Sequence, residues 1–141
     1  MIGNEWRICL VCFALLGIVS GCSHGPAIGK VSGEVTLDGQ PLKEGRILFT
    51  PENGQGQTGG TTIADGKFLA EIPLANPLAK MKVQINANKV VGKQPAYEGV
   101  ANSPMIDIVQ ELIPKRYNDQ TELALEVKSG AQSVKYDLRS K

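Results

Sequence analysis

Val31, Gly33, Val35 and Leu37 alternate with Lys30, Ser32, Glu34 and Thr36. One face of this stretch is apolar and the other wet, which predicts a half-buried strand. The same two-residue period returns at Ile47 and Phe49, at Thr61 to Ile63, and at Phe68, Ala70 and Ile72. It returns again at Met81, Val83, Ile85 and Ala87, at Leu123, Leu125 and Val127, and at Val134, Tyr136 and Leu138. Turn formers separate these runs. Asp38-Gly39 and Asp65-Gly66 are tight hairpin signals, because Gly39 and Gly66 accept the positive φ such turns require. Pro41 and Pro51 break the ladder, and Ser129-Gly130 supplies a further turn.

No long window carries a 3.6-residue period. Asp107 to Leu112, with Ile108, Val109 and Leu112 apolar, allows one helical turn. The prediction is an all-β domain over residues 30–141, with seven short strands that suit a two-sheet, Ig-like sandwich. Two stretches fall outside the pattern. Asn53 to Gly60 is Gly-rich and reads as a loose loop in which Gly56 and Gly59 should tolerate a side chain. Asn88 to Gln110 reads as a long loop, and connections beyond about 12–15 residues are usually functional or disordered.

The N-terminus adds a location. Ile8 to Val19 is an uncharged apolar run of twelve residues, short of the roughly 20 needed to span a bilayer. It fits the core of a secretory signal over residues 1–21. Val19-Ser20-Gly21-Cys22 at its end resembles the bacterial lipobox. That resemblance implies lipidation of Cys22, cleavage before it and N-terminal acylation, palmitate included. Such acyl chains exceed the two-signal threshold for stable anchoring. Residues 22–29 would then be a lipidated tether, and the location is the cell envelope. Ser23 after the anchor favours the outer membrane by the rule known from enteric bacteria.

Cleavage also settles the cysteines. Cys9 and Cys12 have C-x-x-C spacing, but they leave with the signal. Cys22 is consumed by lipid, so no disulfide, thiol nucleophile or Cys-based metal site is expected. Charge adds little: 15 Lys+Arg against 14 Asp+Glu in 141 residues gives +1, with no concentrated basic face for nucleic acid.

Val31-Ser-Gly-Glu-Val-Thr-Leu-Asp-Gly-Gln-Pro-Leu-Lys-Glu-Gly-Arg-Ile-Leu-Phe-Thr-Pro51, followed by Thr62-Ile-Ala-Asp-Gly-Lys-Phe68, resembles the start of a carboxypeptidase regulatory-like domain. Ile113 to Leu123 is similar to a segment recurring in small bacterial lipoproteins of this kind. The resemblance covers most of residues 30–139 and implies a transthyretin-like (prealbumin-like) β-sandwich. Its motifs specify turns and core, not chemistry.

Catalysis has little to work with. His24, the single His, sits beside the anchor, so no Ser-His-Asp or Cys-His set can be assembled in the folded domain. Glu34 and Asp137 are carboxylates that strand pairing could bring together. The transthyretin-like ureide hydrolases use several histidines and a C-terminal Tyr-Arg-Gly-Ser, whereas this chain ends Tyr136-Asp-Leu-Arg-Ser-Lys141. No catalytic residue, cofactor or metal is expected. Asp38 and Asp65 read as turn residues, Lys115-Arg116 as a solvated pair, and Tyr117 as a ring packed on the sheet.

The expected role is a structural or protein-interaction module, with Tyr97, Met105 and Ile106 of the long loop as a small apolar anchor for an envelope protein. Binding of envelope glycan is the alternative, with Tyr97 as the stacking ring.

Overall fold

The computed structural model describes residues 25–76 and 78–141. The signal segment, Cys22 and His24 lie outside the described residues. Among them run ten strands: β1 Ala27–Leu37, β2 Gln40–Pro41, β3 Glu44–Pro51, β4 Gly59–Ala64, β5 Lys67–Leu74, β6 Leu78–Asn86, β7 Asn88–Pro95, β8 Met105–Glu111, β9 Ala124–Lys128 and β10 Gly130–Leu138. A single 3-10 turn, Lys115–Tyr117, lies between β8 and β9. Seven of the strands form one curled path in the order β10-β1-β5-β4-β3-β6-β9, with β2 paired to β1. These seven are the strands the alternation predicts. β7 and β8 form a separate two-stranded sheet.

The path folds into two leaves where β4 meets β5. β4 pairs with β3 over six positions and β5 with β1 over eight, yet β4 and β5 share only the Ala64–Lys67 position. The hairpin therefore opens like a hinge, and two leaves close on one core: β5-β1-β10 and β4-β3-β6-β9. Val31, Val35, Ala70 and Ile72 line one inner face, and Ile47, Phe49, Val83 and Ile85 the other, all buried. Phe49 and Phe68 meet across the gap with ring centroids 6.2 Å apart. Gly33 leaves the space Phe68 fills, since a Cβ there would come within 2.9 Å of that ring.

Both Asp-Gly pairs adopt the expected turn. Asp38 and Gly39 have φ of 50° and 81°, and Asp65 and Gly66 have 49° and 76°. Positive φ at both central residues is the geometry whose twist matches flanking antiparallel strands. β10 returns parallel to β1, with Gly29 beside Gly130 and Leu37 beside Leu138. Gln132 then closes the side where β9 and β10 face one another. Its amide accepts the Lys128 N–H at 2.8 Å and donates to the Glu126 carbonyl at 3.2 Å.

Three local expectations need correction. The first strand begins at Ala27, where Ala27 pairs with Leu74, because a Gly-Lys stretch still reaches its neighbour's backbone. Asp107–Leu112 forms no helical turn, since β8 runs through it. Gly56 and Gly59 are constrained rather than loose. Gly59 is buried in β4 beneath Ile72, 2.9 Å from where its Cβ would lie, and Gly56 has a φ of 119°.

Candidate functional site

The long segment after β6 is a ribbon rather than a loop. β7 and β8 pair antiparallel from Asn88–Glu111 at the root to Pro95–Met105 near the tip, with a register shift between Val90 and Gly92. Every residue of β8 is exposed, and so is every residue of β7 except the half-buried Gly92. A two-stranded hairpin is marginal alone in water, so this one needs support at its root.

Glu111 gives that support. Its Oε1 accepts the N–H of Ala87 at 2.8 Å and of Ile113 at 3.0 Å, while Asn86 Nδ2 donates to Oε2 at 3.4 Å. Ala87 and Ile113 are buried, so one carboxylate satisfies two main-chain donors where the chain leaves and re-enters the sandwich. The Leu112 N–H donates to the Ala87 carbonyl at 2.7 Å and closes the neck. Higher up, Lys93 and Asp107 face each other across the strands at 3.6 Å.

The ribbon exposes many apolar side chains among its polar ones. Val90, Val91, Met105, Ile106, Ile108 and Val109 are exposed on its strands, and Tyr97 and Val100 at its tip. Elsewhere among the described residues the exposed large apolar side chains are Ile28, Leu69, Leu78 and Leu112. Scattered single residues are ordinary, but a contiguous patch marks an interaction surface. Two edges add to this, because β7 and β8 have no further neighbour among the described residues and leave outward main-chain groups unpaired.

Of the three predicted anchor residues, Tyr97 is 65% exposed, Met105 58% and Ile106 44%. They gather at the distal half of the ribbon but not on one face. Met105 stands opposite Pro95 and Ile106 opposite Gln94, and successive strand residues point to opposite faces. Met105 shares its face with Val109, and Ile106 shares the other with Ile108. The tip is shaped by the Ser103 hydroxyl, which accepts the Tyr97 N–H at 2.8 Å.

Other candidate groups fall elsewhere. Glu34 sits beside Lys135 and Asp137 beside Thr36 in the β1–β10 register, and the Thr36 hydroxyl donates to Asp137 at 2.7 Å. The two carboxylates are thus offset. Asp38 accepts the Ser140 N–H at 3.0 Å, and the bonds from Ser140 hold its carboxyl below the usual range. Among the described residues no group of three or more His, Cys, Asp or Glu side chains converges on a possible ion.

Arg116 is not a solvated partner of Lys115. Its guanidinium lies 4.9 Å from the Tyr117 ring centroid, and Nη2 donates to the Arg139 and Lys141 carbonyls, each at 2.7 Å. Arg116 fastens the end of the chain beside the 3-10 turn. Tyr117 packs against the core, as does Tyr136, whose ring stacks on Phe68 at 6.5 Å.

No protein-family model matches the chain, and a search of curated proteins gives no match. Among solved structures a 9R-lipoxygenase from Cyanothece PCC8801 is similar over 80% of this chain and 16% of its own length. Identity is 10% and the TM-score 0.39, so the chain spans under a fifth of that enzyme and the likeness carries no argument about activity.

Proposed function

We propose that this chain is a non-catalytic, lipid-anchored module of the cell envelope, held at the outer membrane, that binds a protein through the β7–β8 ribbon. The anchor reading rests on Val19-Ser-Gly-Cys22 at the end of an apolar run. The carboxypeptidase regulatory-like reading rests on the two Asp-Gly motifs, and hairpins at both turns support it. The ribbon carries the functional part. An apolar two-stranded sheet with open edges suits a partner that contributes an extended apolar strand, taking main-chain hydrogen bonds along the edge and side-chain contacts on the faces.

The ribbon's position supports display away from a membrane. The chain enters at Ala27, near Leu74 and Gly130. β6 starts at that same end, where Leu78 pairs with Lys128, and runs to Asn86 beside Arg46. The ribbon root therefore lies about 30 Å from the chain entrance, the length of a nine-residue strand. Glycan binding through Tyr97 ranks second, because Tyr117 and Tyr136 are packed on the core and Tyr97 has no neighbouring ring among the described residues.

The test places a photo-crosslinking residue at Val91 or Val109 in cells, with exposed Leu69 on the sandwich as control. Discrete protein adducts from the ribbon positions alone support the reading. Equal labelling from Leu69, or adducts that persist after Cys22→Ala leaves the chain unlipidated in another compartment, would contradict it.

A further inference from the structure

At the end of the sandwich opposite the ribbon root, the β3–β4 connection, residues 73–76 and the start of β6 line a cleft of roughly 370 Å³. That volume lies within the range of small-molecule sites. Its walls carry four carboxamides, Asn53, Gln55, Gln57 and Asn76. Glu52 and Lys80 also line it and cancel in charge, and Pro73 and Leu78 give it an apolar side.

One wall is formed before any ligand arrives. The Glu52 N–H donates to the Lys80 carbonyl at 3.0 Å, which ties the connection to β6. The Gly54 N–H donates to the Pro51 carbonyl at 3.1 Å, and Asn53 Oδ1 accepts the Gln55 N–H at 3.0 Å. Gly54 at φ 69° and Gly56 at φ 119° turn the backbone tightly, and Gly56 lies close enough to Pro51 that a Cβ would sit 3.3 Å from its ring. A wall fixed by main-chain bonds lowers the ordering cost of binding.

We propose that this cleft binds a neutral polyhydroxyl group, a saccharide unit. A hydroxyl both donates and accepts, and a carboxamide offers a C=O acceptor beside two N–H donors, so a cleft lined by carboxamides suits a ligand rich in hydroxyls. A carboxylate or phosphate would meet Glu52, with Lys80 as the one counter-charge among the described lining residues. A flat aromatic ligand would find no aromatic ring among the described residues that line the cleft. The half-buried Pro73 ring and the exposed Leu78 side chain present C–H surface to the apolar face of a sugar. The site is remote from Tyr97, so it does not depend on the ribbon's function.

A sugar in this cleft could come free or as a glycolipid headgroup, and the experiment separates the two. The full lipidated chain is held in a phosphocholine detergent free of sugar headgroups and titrated with maltose, while the side-chain amide signals of Gln55, Gln57 and Asn76 are followed by NMR. In a second arm it is bound to phosphatidylcholine vesicles with or without monoglucosyl diacylglycerol. The expected result is saturable movement of those amides in either arm, at least tenfold weaker in Gln57→Leu/Asn76→Leu and unchanged in Tyr97→Ala. Both variants should keep the wild-type melt, since the replaced groups are exposed. Response to maltose marks a free sugar as the source, and response to the glycolipid alone marks a headgroup. Amides that stay still in both arms up to about 100 mM sugar, or movement abolished by Tyr97→Ala, would overturn the assignment. Either result leaves the ribbon's cross-linking test untouched.

Discussion

Gly39 and Gly66 occupy the same turn position in different surroundings. Nothing lies within 4 Å of where a Gly39 Cβ would stand, whereas at Gly66 it would meet the Pro41 Cβ at 2.9 Å and the Val35 carbonyl at 3.1 Å. Gly39→Val should therefore cost about 1–3 kcal/mol from backbone strain alone, and Gly66→Val a further 1–3 kcal/mol or so from crowding. Urea denaturation of the two variants measures the gap, and equal losses would mean that the turn backbone sets the whole penalty. Gly59→Val should cost on the order of 1–3 kcal/mol through Ile72. Sequence could not show that, because Gly59 lies within a Gly-rich run and the side chain pressing on it comes from another leaf.

Tyr136 gives a pH test. Its hydroxyl is buried without a partner among the described residues, and burial pushes its pKa up to about 12 from 10.0. Above pH 10 the unfolded chain releases this proton while the native chain keeps it, so stability falls as pH rises from about 10 to 12. Tyr136→Phe should flatten that part of the stability profile. It should also leave neutral-pH stability nearly unchanged, since the hydroxyl it removes makes no bond. A steep loss at neutral pH would reveal a bonding partner for the hydroxyl.

Among the elements, the ribbon is the one that sequence misread, for a physical reason. Strand prediction reads alternation, and alternation records one buried face. β7 and β8 bury neither face, and the register shift at Val90–Gly92 breaks the period of β7. Ile108, Val109 and Leu112 fall by accident at helical spacing. The sandwich strands bury one face each, and all seven were legible. Glu111 was not, because its role depends on the neck of the ribbon, twenty-four residues from Ala87.

Glu111→Ala should strand the Ala87 and Ile113 N–H groups and cost about 1–3 kcal/mol. Glu111→Gln retains Oε1 as an acceptor and should cost much less. Hydrogen exchange should show faster opening of β7 and β8 in the alanine variant than in the glutamine variant. Identical protection in both would mean that strand pairing alone fixes the ribbon.

At the scale of the molecule, the core is complete without the ribbon. The buried apolar residues lie in β1, β3–β6, β9, β10 and the segments joining them, and none lies in β7 or β8. The neck is already closed by the 2.7 Å bond from Leu112 to Ala87. Replacing residues 89–110 with Gly-Gly should thus leave one cooperative melt that chelator does not move. Loss of cooperativity would show that the ribbon belongs to the folding unit.

That shortened chain also gives the most direct test of the division between scaffold and binding element. Full-length and shortened lipidated chains are expressed in the same cells, cross-linked in intact envelopes and compared for the proteins recovered with each. The account predicts equal membrane levels and discrete partners with the full chain that are absent from the shortened one. The same partners recovered with both would place recognition on the sandwich and contradict it.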